Sequence, residues 1–476
     1  MSAGLHATTA PAPDPASELP QLNRSLHPAP KAPVRIIHLG LGAFHRSHQA
    51  WYTQQAGDAA DWGIAAFTGR RPDAAVALTE QDGLYTLVER ADTGDSFTVV
   101  ESIVEAVDGA DLQRLTELVA APGTALVTLT ITEAAYGLGA DGKLDSTARD
   151  VATDLSLLGS GSGRPATPLG RLVLALAARR DAGSGPIAVV CCDNLSNNGA
   201  VARQAVAGFA SAWDSGLAAW IDTNVSFVST SVDRITPRTM EQDLDDVRKA
   251  CGYRDNSPVV AEPFSSWVLS GDFPAGRPRW EDAGALFVED IEPYENRKLW
   301  LLNGAHSLLA YAGQLRGHAT VAEALADTEC RRAVEAFWDE AAANLPGAGL
   351  QIPAYREALL ARFGNARIAH NLAQIAMDGS TKLRMRAVPV LQAERAAGRT
   401  GAAAALMIAA WMDFSVAATS FEDPLGEDVA AANRLSGTER IKALVAVVDP
   451  VLAGDAAVVA LVESLCGTVP GHPASR

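Results

Sequence analysis

The sequence predicts an α/β chain: a first domain built on a mostly parallel sheet, then a second domain that is mainly α-helical. Three observations carry that expectation. Short β-rich runs alternate with helical patterns up to about residue 290, and alternation of this kind builds βαβ units. Several of the runs are apolar at almost every position, as strands covered on both faces are. Beyond residue 290 alanine and leucine dominate, and both are strong helix formers.

Taken in order, the first 31 residues are rich in Pro and Ala ("TTAPAPDPASELP"). They lack the apolar core of a signal peptide, so a disordered tail is expected over 1–31. Strands are expected at "VRIIHLG", "WGIAAFTG", "ALVTLTIT", "PIAVVCCDN" and "VSFVSTSVDRI", with helices at "SHQAWYTQQAGD" and "PLGRLVLALAARRD". "LYTLVERADTGDSFTVVESI" reads as two antiparallel strands around an Asp-Thr-Gly-Asp turn. The Gly-Ser stretch "LLGSGSGRPATPLG" is expected to be a flexible loop inside the first domain, because βαβ texture resumes after it. A boundary at 285–293 divides domain 32–290 from domain 291–476. Helices of the second domain are expected at "KLWLLNGAHSLLAYAG", "ECRRAVEAFWDEAAANL", "RIAHNLAQIAMDGS", "VPVLQAERAAG", "AAAALMIAAWMDF" and "RIKALVAVVDPVLA".

The 476 residues carry a formal charge of −17. That balance repels phosphate backbones and anionic membranes, and argues against nucleic acid or a membrane as partner. It leaves room for a small anionic ligand in a local pocket. The five cysteines (Cys191, Cys192, Cys251, Cys330 and Cys466) form no C-x-x-C pair, which points to a reduced, cytoplasmic protein. The apolar run "GAAAALMIAAWM" stops at Asp413, short of the ~20 residues a spanning helix needs. No feature encodes an oligomeric state.

"RIIHLGLGAFHRSHQAWYT" carries the first chemical signal. A strand should end at Gly40 and a helix start near Ser47, with Gly40, Gly42, Ala43 and Phe44 forming the turn between them. Such a turn lets the backbone approach a pyrophosphate, which the helix N-terminus stabilises. His45 stands where the usual fingerprint has a third glycine. An ordinary strand–helix turn is the plainer reading; the position after the first strand of an alternating domain favours dinucleotide binding. At the end of the second strand Arg70 and Arg71 occupy the place of the expected acid, and the first carboxylate is Asp73. An arginine there accommodates a 2′-phosphate, so NAD and NADP both remain open. His45 and His48 have no third ligand in view and are expected at the surface or beside phosphate, not on zinc.

"YENRKLWLLNGAH" carries the second. On a regular α-helix Asn303 lies about 140° and His306 about 80° around from Lys298, and Lys298 and His306 are about 12 Å apart along the axis. Leucines and Trp300 fill the rest of the helix, so it is expected to be buried nearly all round. Burial lowers a lysine pKa towards values that suit a proton acceptor, and an amide with an imidazole can bind a reacting oxygen. The plainer reading is a snorkelling lysine with two satisfied core polars. "VVCCDNLSNNG" and "SVDRITP" add Asn194, Asp233 and Arg234 at the carboxyl ends of strands, where ligands of parallel sheets bind and where turn chemistry also favours such residues.

Together "HLGLGAFHRSHQAWYT", "QDGLYTLVE", "VTLTITEAAYG", "CCDNLSNNG", "VDRITP", "AEPFSSWV", "KLWLLNGAHSLLAY" and "IAMDGSTK" resemble the polyol-specific long-chain dehydrogenases, the mannitol dehydrogenase family. The resemblance covers nearly the whole chain after the tail and includes the family's K-x4-N-x2-H signature at Lys298, Asn303 and His306. It implies a Rossmann-type first domain, a helical second domain with the active site between them, and metal-free hydride transfer with NAD or NADP, NAD being favoured. By the same resemblance Lys298 is the general acid/base, Asn194 and Asn303 form the oxyanion hole, and His306 hydrogen-bonds substrate. Glu295 matches a proton-relay position, and Asp233 and Lys382 match substrate positions. The implied substrates are D-mannitol and D-fructose, with D-fructuronate/D-mannonate or D-arabinitol as alternatives. "VDRITP" looks closer to mannitol 2-dehydrogenases and Gln374 in "QIAMDGS" closer to fructuronate reductases. "EAAYG" for "EKGY", "NGAH" for "NGSH" and Asp413 for a frequent arginine depart from the pattern. A non-catalytic nucleotide or sugar binder would have no use for the proton-transfer lysine.

Overall fold

The computed structural model describes residues 19–139, 141–161, 163–368, 370–418 and 421–469. The chain divides into two compact units, Met1–Glu289 and Asp290–Arg476. Strands of the first unit are β1 (Val34–Leu39), β2 (Gly63–Phe67), β3 (Tyr85–Ala91), β4 (Gly94–Val100), β5 (Ile103–Val107), β6 (Leu126–Leu129), β7 (Ile187–Cys191), β8 (Val225–Asp233), β9 (Val259–Ala261), β10 (Ser266–Ser270) and β11 (Leu286–Phe287).

The main sheet is eight-stranded in the order β11-β10-β8-β7-β6-β1-β2-β5. From β5 to β8 every neighbouring pair is parallel, and β10 adds antiparallel to β8. The chain winds outward through β2 and β5, then returns to the other side of β1 to form β6. The carboxyl ends of β1 and β6 therefore flank the switch point, where doubly wound sheets bind ligands. β4-β3-β9 form a separate small sheet; its β3–β4 hairpin is antiparallel, as the sequence suggests.

Alternation along each strand sorts the core into two layers. Ile37, Leu39, Val127, Leu129 and Val189 face one side, with the buried faces of helices Leu112–Ala120, Pro168–Ala182 and Asn198–Trp213. Ile36, Ile64, Leu126, Ala188 and Val190 face the other, with Tyr85, Leu87, Trp267 and Trp280. Coverage on both faces explains why these strands read as continuous apolar runs.

Two expectations need correction. Residues 1–18 of the expected tail lie outside the described residues, but 19–31 pack against the first unit. Leu22 is buried and pairs with Arg254, and the Arg24 guanidinium donates to the carbonyls of Asp82, Ala29 and Glu101. Proline-rich composition hid a segment ordered by one apolar anchor and one arginine. The Gly-Ser stretch is shorter than its composition implies, because helix Arg149–Ser160 runs into it. Buried Asp154 then ties its far end by accepting from the amides of Ala166 and Thr167.

The second unit is helical throughout its regular elements. Helix Ala305–Leu315 is buried along nearly its whole length, and helix Ala402–Ala417 is apolar all round as far as Met412, as helices enclosed by others are. No helix among the described residues is long and apolar enough to cross a membrane.

Candidate active site

Gly40 follows β1 with φ +114°, and a Cβ there would collide with the Thr130 carbonyl, so only glycine fits. The helix starts at Ala43, not near Ser47: Ala43–Ser47 forms one short turn, and Gln49–Gln55 continues after a break at His48. Gly42 caps the first turn in extended backbone, which leaves the leading amides of Ala43 and Phe44 without intrahelical partners. The turn lies at the switch point and can cradle a pyrophosphate.

His45 and His48 are fully buried, contrary to the surface position expected of them. His45 stacks on His38 of β1 with ring centroids 3.3 Å apart and planes 8° from parallel. A flat ring pair thus takes the place of the third glycine, letting helix and strand approach to ring thickness. His48 sits among Phe44, Tyr52 and Trp267 and bonds the Ser266 carbonyl.

The hydrogen bonds of His38 fix its tautomer. Thr130 Oγ donates to the Gly40 carbonyl at 2.9 Å, so at 3.0 Å it must accept from His38 Nε2. His38 Nδ1 then accepts from Thr128 Oγ at 2.7 Å. Burial holds His38 neutral by pushing its pKa down to about 3. This relay pins the Gly40 carbonyl from beneath.

Arg70 is exposed beyond β2, and neighbouring Arg71 pairs loosely with Asp73 at 3.6 Å. Asn194 is exposed just past β7 and Asp233 ends β8. Asn198, which the sequence offers either as a polar group at the ligand-binding sheet edge or as turn chemistry, is fully buried. Its Nδ2 donates to the carbonyls of Asp193 and Thr230, and its Oδ1 accepts from Thr230 N, so it clamps the segment that carries Asn194. Arg234 is structural here: it donates to the Ser47 and Glu262 carbonyls and to Glu89.

The sequence offers Asp193 as a polar group at the end of a strand and Tyr136 only within "EAAYG". Tyr136 Oη donates to Asp193 Oδ2 at 2.7 Å and therefore accepts from Cys191 Sγ at 2.6 Å. Burial raises the Asp193 pKa to about 6, against the opposing hydrogen bond from Tyr136. Its folded pKa exceeds its unfolded value, so stability falls as pH rises from about 4 to about 6 and stays lower above. Asp193→Asn is expected to remove this slope. Relative to wild type, the variant should gain about 2–3 kcal/mol between pH 4 and pH 7.5. Urea unfolding at both pH values measures it, and an equal difference at the two would refute the assignment.

In the second unit, helix Glu292–Arg297 carries Glu295 and leads into a π-helical turn, Lys298–Gly304, which passes into helix Ala305–Leu315. The regular α-helix assumed for Lys298 and Asn303 is thus corrected. With i→i+5 hydrogen bonding, residues five apart stand one turn above each other. Lys298 and Asn303 therefore share a face, whereas an α-helix would separate them by about 140°. Both are half-buried, while Trp300, Leu301 and Leu302 are buried. His306 is buried against Phe363 (4.6 Å) and His370 (4.7 Å), with no partner for Nε2 among the described residues. Burial, reinforced by His370 and the arginines Arg362 and Arg386, holds its pKa far below the usual imidazole range. A neutral ring with a vacant nitrogen suits a hydrogen bond to a sugar hydroxyl.

Lys382 Nζ donates to the Ile375 carbonyl at 3.1 Å, beside exposed Gln374. Burial, then Arg386, lowers its pKa. The Asp413 carboxylate accepts from the Gly467 amide. Among the described residues no three His, Cys, Asp or Glu side chains group so as to hold a metal ion.

Residues 34–282 match the Mannitol dehydrogenase Rossmann domain, and residues 290–466 match the Mannitol dehydrogenase C-terminal domain. The chain belongs to the mannitol dehydrogenase family. As a member it is an NAD(P)-dependent oxidoreductase acting on CH–OH groups. It is 36% identical to the D-mannonate oxidoreductase of Escherichia coli, over 86% of this chain and 87% of that protein. It is 37% identical to the D-arabinitol 4-dehydrogenase of Ralstonia nicotianae, over 81% and 83%. The Pseudomonas fluorescens mannitol 2-dehydrogenase, solved as a ternary complex with NAD and D-mannitol, superposes with a TM-score of 0.77. It is 33% identical, over 94% of this chain and 96% of that one.

Proposed function

We propose that this family member interconverts a polyol and a ketose, with D-mannitol and D-fructose as the pair. The observation that carries the reading is the likeness to a mannitol 2-dehydrogenase solved with NAD and D-mannitol, joined to the Lys298, Asn303 and His306 spacing. The nicotinamide supplies the hydride acceptor for polyol oxidation. Lys298 takes the hydroxyl proton, and Glu295 passes it towards solvent. Asn194 and Asn303 hydrogen-bond the reacting oxygen as it gains carbonyl character, and His306 orients the sugar through its vacant nitrogen. Gly40, Gly42, Ala43 and Phe44 hold the pyrophosphate, while Asp233 and Lys382 bind the remaining hydroxyls. Five free cysteines support a reducing, cytoplasmic setting.

Gln374, with the D-mannonate oxidoreductase among the relatives, favours a second reading, reduction of D-fructuronate. Arg70 beyond β2, with no carboxylate before Asp73, favours use of NADPH beside NADH. A panel of D-fructose, D-fructuronate and D-xylulose with NADH and NADPH tests both. The expected result is a kcat/KM for D-fructose at least about tenfold above the others, a difference of about 1.4 kcal/mol. A reversed order assigns the uronate, and no turnover with any member removes the proposed chemistry.

A further inference from the structure

Two carbonyls of the π-helical turn are bound by side chains from other helices of the same unit. Buried Trp338 donates from Nε1 to the Leu301 carbonyl at 2.7 Å. Arg386 Nη1 donates to the Asn303 carbonyl at 3.1 Å and to Ser307 Oγ at 2.8 Å. The geometry of the turn explains the need for outside donors. Where hydrogen bonding widens to i→i+5 and narrows again, the ladder passes over a carbonyl, and a buried carbonyl must find a donor elsewhere.

The packing is adapted to the same conformation. A Cβ on Gly304 would stand 2.5 Å from Phe337 Cε1, so only glycine lets Phe337 close on the end of the turn. Phe337 and Trp338 are adjacent on helix Thr328–Ala343, which therefore contributes both a ring and an N–H to the turn. Arg386 ends helix Gly379–Arg386 and reaches the turn separately.

We infer that Trp338 and Arg386 are positioning residues that hold Lys298–Gly304 in its π-helical form and so keep Lys298 and Asn303 on one face. Neither residue has to touch substrate. They act by making the widened turn lower in energy than the regular helix, in which Asn303 would turn away from Lys298. The inference rests on the proposed roles of Lys298 and Asn303 in proton transfer and oxygen binding.

Trp338→Phe keeps an aromatic ring and removes the donor. It is expected to lower kcat for D-fructose reduction by NADH about 10–100-fold, below the 10²–10³ of a whole oxyanion donor, with KM for NADH unchanged. In an Asn303→Ala background the same substitution should have little further effect, because its action passes through Asn303. Arg386→Lys, which retains a donor, should keep more activity than Arg386→Met. Full additivity of Trp338→Phe with Asn303→Ala, or equal rises in KM for NADH and falls in kcat, would overturn the inference. If Trp338→Phe fails to fold, Arg386→Met enters the same cycle with the same criteria. An active Lys298→Ala enzyme removes the proton-transfer reading itself. An inactive Lys298→Ala with additive clamp variants removes only the clamp. Should D-fructuronate lead the substrate panel, it replaces D-fructose in these assays.

Discussion

Lys298→Ala is expected to lower kcat for ketose reduction by about 10²–10⁴-fold, the range spanned by general acid–base catalysis. Affinity for NADH, followed by nicotinamide fluorescence, should change by less than about twofold. The contrast follows from where the groups lie. Lys298 opens the π-helical turn of the second unit, whereas Gly40, Gly42, Ala43 and Phe44 belong to the first. Removing the ammonium leaves the glycine turn and its His38 relay untouched. Lys298→Arg should be almost as inactive, because a guanidinium keeps its proton throughout the working range. Turnover by either variant within about tenfold of wild type would take the acid/base role from Lys298.

Arg234→Met is expected to destabilise the first unit by about 1–3 kcal/mol, the usual cost of leaving buried acceptors without their donor. The Arg234 side chain is 0% exposed and meets Glu89 at 2.5 Å. It also donates to Ser47 O at 2.6 Å and Glu262 O at 3.0 Å, and its guanidinium lies 4.9 Å from the Trp51 ring centre. Burial lowers its pKa, and Glu89 opposes that shift. Methionine fills much of the volume but strands a carboxylate and two carbonyls. Glu89→Gln in the Arg234→Met background should recover part of the loss by removing the stranded charge. Urea unfolding measures both steps, and a loss below about 1 kcal/mol would show that water replaces the lost donor.

The alternating first unit was legible because buried parallel strands leave continuous apolar runs, and the glycine turn was legible because Gly40 has no steric substitute. The fit of His45 was not legible. A histidine in a glycine position reads as a departure until His38 is found parallel to it. The structural roles of Asn198, legible only as a sheet-edge or turn residue, and of Tyr136, legible only as part of a motif, stayed hidden because their partners, Thr230 and Asp193, lie on other segments. The π-helical turn left no trace in the periodicity, since leucines and Trp300 surround Lys298 whichever helix they adopt.

Local pattern therefore sufficed for the alternation of strands and helices in the first unit and for the helical texture of the second. These depend on residue type and spacing along the chain, which the sequence displays directly. Tertiary structure alone decided the shared face of Lys298 and Asn303, the tautomer of His38, the buried load on Arg234 and the anchoring of residues 19–31. Each of those turns on a donor or ring arriving from a distant segment, as with Trp338 on Leu301 or Thr130 on Gly40, and such encounters exist only once the chain has folded.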